Sequence, residues 1–258
     1  MDNPFAPHLK LTLDDGICIV ALNHPETLNS VDEPLHGAIA EVWSFLTRQK
    51  AVRAVVLTGE GRAFSAGGDF KLFQQLLDDH GRRAKLIDES RAIVEAMLNF
   101  PLPVVAAVNG PAVGLGTSLA VLSDMVFIAE SAYMADPHVA VGLTAGDGGP
   151  LTWPFLMSLL RAKEYLYTGA RISSHDAVAL GLANRVVEDA EILGSALAYA
   201  RTLAALPEQA FRSTKRALNL HILKAAPGLL DYAFSMEYQS FDTPEHQKIV
   251  ADFVAKSS

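Results

Sequence analysis

The chain has 258 residues, half of them hydrophobic, and a formal net charge of −8 at pH 7. A chain of this length can bury a large core in one or two domains, while its acidic balance excludes the concentrated cationic surface that nucleic-acid binding requires. The single cysteine, Cys18, excludes an internal disulfide and indicates a reducing, cytoplasmic environment.

No secretory signal is expected, because the first residues lack a basic stretch followed by an apolar one. Residues 102–129 are apolar enough to suggest a membrane span. They also contain Asn109, Pro111, several glycines and Asp124, so buried strands and a helix explain them better, and no membrane partner is expected. The eight histidines show no metal-ligand spacing, and the sequence therefore predicts no metal site.

The first predicted elements are two strands joined by a turn. Leu9, Leu11 and Leu13 alternate with polar residues, Asp15-Gly16 is typical of a turn, and residues 17–22 form the second strand. Helices and strands then alternate: a helix over 35–46, a strand over 52–58, a helix over 87–100, a strand over 104–108, a short helix after Gly116, and strands over 125–128 and 132–135. This order predicts an α/β fold.

The last hundred residues are mostly helical. Ser173 and Asp176 resemble an N-terminal capping box, and Gly181 stands where that helix would end. Beyond them the sequence shows four amphipathic segments, separated near Pro207, Pro227 and Pro244. We therefore divide the chain into an α/β core, residues 1–190, and a C-terminal helical region, residues 191–258.

Two stretches with little side-chain bulk each follow a β-branched apolar run and precede a predicted helix. They are Phe64-Ser65-Ala66-Gly67-Gly68-Asp69 and Asn109-Gly110-Pro111-Ala112-Val113-Gly114-Leu115-Gly116. N–H groups in the first turn of a helix have no internal acceptor, so two such turns can direct donors at one oxygen and form an oxyanion hole. The alternative is a pair of ordinary turns, with Asp69 as a helix cap and glycines required for packing.

These two segments resemble the signature blocks of the crotonase (enoyl-CoA hydratase/isomerase) superfamily. Further similarity covers nearly the whole chain, in Asn23-His24-Pro25, Leu28-Asn29-Ser30, Val56-Leu57-Thr58-Gly59, Ser123-Asp124, Arg161-Ala162-Lys163-Glu164, Thr168-Gly169 and Gly181-Leu182-Ala183-Asn184-Arg185-Val186-Val187. The resemblance implies a ClpP-like spiral of repeated ββα units, followed by helices that form trimer contacts. It also implies an acyl-CoA thioester substrate, no separate cofactor, a homotrimer or dimer of trimers, and a place in fatty acid metabolism.

By motif position, the resemblance assigns the two oxyanion donors to the backbone N–H groups of Ala66 and Leu115. The substrate contacts that it implies are Leu28, Asn29, Val31, Gly67, Gly68, Asp69, Lys71, Gly114, Ser118 and Gly146. The backbone at 28–31 would face the adenine and pantetheine of CoA, and Lys71 would lie at the entrance of the acyl-CoA site. Lys71 could equally be a solvated helix residue.

The sequence departs from the superfamily at the two glutamates with which its hydratases add water. Those positions hold Ser118 and His138, so ordinary hydration lacks its carboxylates. Asp147, nine residues after His138, stands on a loop where dienoyl-CoA isomerases carry a base and chlorobenzoyl-CoA dehalogenases a nucleophile. His138 and Asp147, which precede Trp153-Pro154, are similar to the His–Asp pair of oxocamphor hydrolase-type β-diketone hydrolases. In those enzymes the pair activates water for retro-Claisen cleavage. A second histidine of those enzymes would fall at Leu115 and is absent.

Three functions remain open. The first is an acyl-CoA lyase or isomerase in which His138 and Asp147 perform acid–base work, since a histidine with a pKa of about 6.5 beside a carboxylate suits proton transfer near neutrality. The second is hydrolysis of a C–C bond in a β-dicarbonyl, and the third is non-catalytic acyl-CoA binding. Structural alternatives are a turn aspartate at 147 and a half-buried histidine at 138, and Asp136 is expected to face solvent or to be structural.

Overall fold

The computed structural model describes residues 2–257 and contains, within them, nine strands and ten α-helices. The strands are β1 (Leu9–Asp14), β2 (Ile17–Leu22), β3 (Ala54–Gly59), β4 (Val104–Val108), β5 (Ala112–Val113), β6 (Met125–Ala129), β7 (Tyr133–Ala135), β8 (Ile172–Ser173) and β9 (Arg185–Val187). The helices are α1 (Glu33–Thr47), α2 (Phe70–Asp78), α3 (His80–Asn99), α4 (Leu115–Val121), α5 (Gly149–Leu156), α6 (Leu159–Thr168), α7 (Ser174–Leu180), α8 (Ile192–Ala204), α9 (Glu208–Ser240) and α10 (Pro244–Ser257).

Six strands form the main sheet, in the order β1-β2-β3-β4-β6-β9. The predicted hairpin is confirmed: β1 and β2 pair antiparallel, with Leu9 opposite Leu22 and Asp14 opposite Ile17. The other neighbours are parallel, and β3 and β4 are buried along their whole length, as is typical of strands covered on both faces. A small second sheet has the order β5-β7-β8. Strands and helices alternate as predicted, and the fold is α/β.

Two helices differ from their predicted bounds. The helix expected over 87–100 begins earlier, at His80, because the side chain of Asp79 accepts the Arg82 N–H at 2.9 Å and caps it. The segments expected to separate near Pro227 form one helix, α9, because the packing of Ala226 and Leu230 in the core outweighs the hydrogen bond that a proline removes.

The capping prediction for α7 is confirmed, since Ser173 Oγ accepts the Asp176 N–H at 3.1 Å and Gly181 ends the helix at φ +90°. Among the described helices, none combines the length and the apolar composition that crossing a membrane requires.

A buried ion pair ties α9 to the main sheet. Lys215 Nζ lies 2.6 Å from Asp124 Oδ2 and 2.8 Å from the Leu102 carbonyl oxygen, and Asp124 Oδ2 also accepts the Val104 N–H. Burial raises the pKa of Asp124 and lowers the pKa of Lys215, and their mutual attraction opposes both shifts. Each partner is therefore stable in its charged form only while the other remains beside it.

Removal of the Lys215 ammonium group should lower the stability of the fold. We expect Lys215→Met to lower the free energy of unfolding by about 3 kcal/mol, because a buried carboxylate is left without its partner. The measurement is urea denaturation at pH 7. Arg161→Met, in the exposed pair with Glu164, is the control and should leave stability nearly unchanged. Equal stabilities of the two variants would contradict a structural role for the buried pair.

Candidate functional site

The two glycine-rich turns lie side by side, as predicted from the sequence. The Val113 N–H donates to the Ser65 carbonyl at 2.9 Å, and the Ser65 N–H donates to the Pro111 carbonyl at 3.0 Å. Glycine is required at position 116, because a Cβ there would lie 2.8 Å from the Cβ of Ser65. The N-terminus of α4 therefore packs directly against the turn that precedes α2.

The structure corrects the expectation for Ala66, whose N–H is not free. It donates to the Leu28 carbonyl at 2.9 Å, and the Gly67 N–H donates to Ser65 Oγ at 3.2 Å. Within residues 2–257, no acceptor pairs with the N–H of Gly68 or of Leu115. The free N–H donor of the first turn is therefore that of Gly68, two residues after the expected Ala66.

The hydrogen bonds of the residues on either side of Gly68 explain the direction of its N–H group. Val31 donates its N–H to the Gly67 carbonyl at 2.8 Å and accepts the Asp69 N–H at 3.1 Å. In such a parallel bridge, the intervening residue turns its own N–H away from the partner chain. A side chain at 68 would require the Phe73 ring to move, because its Cβ would lie 2.4 Å from Cζ of Phe73. Gly68, Leu115, Gly67 and Gly114 all line one cavity.

The predicted CoA-contact loop is held by internal hydrogen bonds. Leu28 and Asn29 have φ values of +59° and +55°. The buried Asn29 amide donates to the carbonyls of Glu60 at 2.9 Å and Ala63 at 2.8 Å and accepts the His24 N–H at 2.8 Å, so both of its N–H groups and its oxygen are bonded within the protein. The side chain of Asn29 therefore shapes the loop, and a contact with CoA would come from the backbone.

Asp69 and Lys71 lie at an outer groove of about 480 Å³. Asp69 Oδ1 accepts the Lys71 N–H at 2.6 Å, so Asp69 caps α2 as the structural alternative expected. The Lys71 side chain is exposed at this groove, and Phe70 stacks on Phe253 along its wall with ring centroids 3.8 Å apart. This groove adjoins the free N–H of Gly68.

An inner cavity of about 110 Å³ lies behind the two turns. Its lining is mostly apolar, and its polar part comes from five side chains: His36, Ser90, His138, Asp147 and Glu237. A largely apolar cavity with a few convergent polar groups is the usual form of a small-molecule site.

His138 and Asp147, both predicted from the sequence, meet in this cavity. His138 Nδ1 is hydrogen-bonded to Asp136 Oδ1, and His138 Nε2 lies 3.6 Å from Asp147 Oδ2. Ser118 Oγ donates to Asp147 Oδ1 at 2.9 Å. Asp136 was expected to face solvent or to be structural. It is buried against His138, because its strand, β7, ends inside the core, so the first alternative is wrong and the second remains.

Glycines make room for these carboxyl groups. A Cβ at Gly149 would lie 2.6 Å from Asp136 Oδ2, and one at Gly146 would lie 2.0 Å from Glu237 Oε2. Gly146, predicted as a substrate contact, therefore packs against a carboxyl group of the protein. Gly148 has a φ of +119°, a conformation that side chains rarely adopt, and it lets the loop turn into α5.

Burial and charge set the protonation of this cluster. Burial alone would lower the pKa of His138, but the charges of Asp136 and Asp147 and the bond to Asp136 raise it well above 6.5. Burial raises the pKa of Asp147, while the positive charge of His138 and the Ser118 hydrogen bond oppose that rise. At neutral pH, the cluster therefore holds an imidazolium between two carboxyl groups.

Glu237, from α9, is a site residue that the sequence did not reveal. Burial raises the pKa of its carboxyl group to about 8; the charge of His138 opposes the rise, and Asp147 and Asp136 add to it. Within residues 2–257, Oε2 of Glu237 has no hydrogen-bond partner. The available signal was helical spacing, because Glu237 continues the buried face of Leu230 and Phe234.

Two groups in the described chain could each offer three ligand atoms to a metal ion: His8, His24 and Asp32, and Asp136, His138 and Asp147. A protonated His138 has no lone pair for a metal, which disfavours the second group. In the first, His8 Nδ1 and His24 Nε2 are hydrogen-bonded to each other at 3.0 Å. The absence of a metal site stays a prediction.

The family model described as enoyl-CoA hydratase/isomerase matches residues 12–258. The chain belongs to the enoyl-CoA hydratase/isomerase family. A crystal structure of an enoyl-CoA hydratase/isomerase from Mycobacterium paratuberculosis is 52% identical, with a TM-score of 0.94, over 97% of this chain and 100% of that one. The 1,2-epoxyphenylacetyl-CoA isomerase of Escherichia coli is 30% identical over 250 residues, 95% of each chain.

A β-diketone hydrolase from the cyanobacterium Anabaena, solved with (S)-3-oxocyclohexyl acetic acid, is also similar in structure. Its TM-score is 0.85 over 93% of this chain and 98% of that one, at 24% identity, which shows the fold alone. The enoyl-CoA hydratase/isomerase (crotonase) fold expected from the sequence is thus confirmed.

The raised pKa of Glu237 predicts a stability effect with a definite sign. The folded state holds this proton up to about pH 8, whereas an unfolded glutamate releases it near 4.5, so the stabilising effect of the bound proton declines as pH rises between those values. Glu237→Gln cannot titrate. We therefore expect the wild type to lose stability relative to Glu237→Gln, by on the order of a few kcal/mol, between pH 5 and pH 8. Urea denaturation of both proteins across this range measures the difference, and parallel profiles would contradict it.

Proposed function

We propose that this protein acts on an acyl-CoA thioester and moves a proton next to its carbonyl group, as an isomerase or lyase of the enoyl-CoA hydratase/isomerase family. The observation that carries the proposal is the buried chain of Asp136, His138 and Asp147. Its members His138 and Asp147 line the same cavity as Gly68 and Leu115, whose N–H groups are free. A base and two oxyanion donors at one carbonyl group are the requirements for forming an enolate.

In the proposed mechanism, the N–H groups of Gly68 and Leu115 donate to the thioester oxygen. They stabilise the negative charge that develops there, and they do so more strongly in a cavity that excludes water. Asp147 takes the proton from the carbon next to the carbonyl group, and its raised pKa makes it a better base than an exposed aspartate. The imidazolium of His138 stays beside it and compensates the charge.

Ordinary hydration is not proposed. Ser118 stands where the family's hydratases hold a glutamate, and its hydroxyl group donates to Asp147 at 2.9 Å. A serine cannot accept a proton as a carboxylate does, so Ser118 serves to orient Asp147. Return of the proton to another carbon of the enolate, which shifts a double bond, needs one base only.

Hydrolysis of a C–C bond in a β-dicarbonyl is the second candidate, and Glu237 favours it. A neutral carboxyl group facing the cavity can donate a hydrogen bond to a second carbonyl oxygen, which a simple enoyl thioester lacks. Water would add to one carbonyl carbon, the bond to the central carbon would break, and the electron pair would remain as an enolate. Non-catalytic binding is disfavoured, because it has no need of costly buried ionisable groups.

The same proposal covers the partners. The outer groove at Lys71 would hold the pantetheine part of CoA, and no cofactor beyond CoA itself is needed, because the proposed proton transfer uses protein groups alone. We also propose a homotrimer, or a dimer of trimers, in the cytoplasm. Large exposed apolar side chains on α5 and α6 support self-association: Phe155, Leu159, Leu160 and Tyr167.

Exchange of the α-protons of butyryl-CoA in D₂O, followed by NMR, tests enolate formation whatever the final reaction is. We expect the wild type to catalyse exchange and Asp147→Asn to slow it by about 10²–10⁴-fold, with acyl-CoA affinity in calorimetry little changed. His138→Gln should show a smaller loss. Exposed Asp231→Asn is the control. If the wild type exchanges no proton but cleaves a β-diketone, the second candidate is favoured; failure of both reactions would refute both enzymatic proposals.

An ester in place of a single backbone amide identifies the oxyanion donors, because it removes the N–H and leaves the side chain. Glycolic acid at position 68 should slow the exchange by about 10²–10³-fold, which is typical for the loss of one donor. Lactic acid at position 66 removes the N–H that bonds to Leu28 and should have a smaller effect. A larger slowing of the exchange by the ester at position 66 than by the ester at position 68 would restore Ala66 as the oxyanion donor.

A further inference from the structure

A second polar cluster on the cavity wall has no part in the proposed proton transfer. It consists of His36, from α1, and of Glu89 and Ser90, from α3, the two helices that pack against each other. His36 and Ser90 are 4% and 5% exposed, and both line the cavity. Buried polar side chains at a cavity without an assigned role need an explanation.

The three side chains are hydrogen-bonded in a fixed order. Ser90 Oγ lies 3.2 Å from His36 Nε2, and His36 Nδ1 lies 2.8 Å from Glu89 Oε2. A carboxylate only accepts, so Nδ1 carries a proton, and in the form of the imidazole without a second proton Nε2 presents its lone pair to the hydroxyl group. Hydroxyl group, imidazole and carboxylate in this order are the arrangement of a nucleophile, its general base and the group that orients the base.

The surroundings keep Glu89 in the ionised state that this arrangement requires. Burial alone would raise the pKa of Glu89, but the hydrogen bonds and charges of His36 and Lys85 outweigh burial and lower it, so Glu89 stays ionised. Lys85 Nζ lies 3.6 Å from Glu89 Oε1. A serine inside a helix commonly donates to a carbonyl one turn back, yet within residues 2–257 the hydrogen-bond partner of Ser90 Oγ is His36.

We propose that Ser90, His36 and Glu89 form a second catalytic group, which cleaves small activated esters or thioesters through an acyl-Ser90 intermediate. His36 Nε2 accepts the hydroxyl proton as Ser90 Oγ bonds to the carbonyl carbon. The bond from that carbon to the sulfur or oxygen of the leaving group breaks, and the leaving group takes the proton from His36. Water, deprotonated by His36, then releases the acid and restores the Ser90 hydroxyl group.

This activity shares the cavity with the proposed function but not its proton-transfer residues, so the two can be tested separately. Methanesulfonyl fluoride is a suitable probe, because it is small enough for the cavity, and attack by Ser90 Oγ on its sulfur expels fluoride while His36 takes the proton. We expect one adduct, located at Ser90 by peptide mass spectrometry, in the wild-type protein and in Asp147→Asn. It should be absent from Ser90→Ala and present in Ser44→Ala, a control at a serine outside the cavity.

His36→Gln should slow the labelling of Ser90 by about 10²–10⁴-fold, because the general base is lost, and Glu89→Gln should also slow it. Circular dichroism confirms folding of each variant, and Glu89→Gln serves if His36→Gln does not fold. No adduct in the folded wild type, an adduct elsewhere, or a labelling rate that folded His36→Gln and Glu89→Gln leave unchanged would overturn the proposal. p-Nitrophenyl acetate supplies a second measurement, since an acetyl group should accumulate on Ser90 with a burst of p-nitrophenol.

Discussion

The structure around the cavity depends on the compensation of charge at His138. An ionised side chain removed from water is stable only when an opposite charge or hydrogen bonds replace the lost hydration. Here Asp136 and Asp147 flank one imidazolium, and Glu237, which has no cation of its own, keeps its proton up to a pKa of about 8. The cluster thus holds movable protons near neutrality, where an acid–base catalyst needs them.

The fold places these groups together through the ends of distant elements. Asp136 follows β7, Asp147 precedes α5, and Glu237 lies near the end of α9, while glycines at 146 and 149 let the carboxyl groups approach the loop backbone. The ion pair of Lys215 with Asp124 holds α9 on the sheet.

The accuracy of the sequence predictions follows the range of the interactions involved. The hairpin, the order of strands and helices, and the caps of α7 were predicted correctly, because periodicity and turn chemistry act over a few residues. His138 and Asp147 were proposed from the family resemblance, which places both on one loop, and both line the inner cavity. Ala66 was wrong as the free donor, because its hydrogen bond to Leu28 joins two separate segments. His36, Ser90 and Glu237 showed no local signal beyond a polar residue on a buried helix face.

The sequence by itself determined the α/β fold and the family, since these follow from residue identity and local order. Only the tertiary structure decided which amides are free, which carboxyl groups are buried together and which of them keep a proton. The physical reason is that hydrogen-bond partners and hydration depend on neighbours in space. Glu237 and Gly146 are far apart in the chain, yet Glu237 is neutral at pH 7 because burial beside that glycine removes its water.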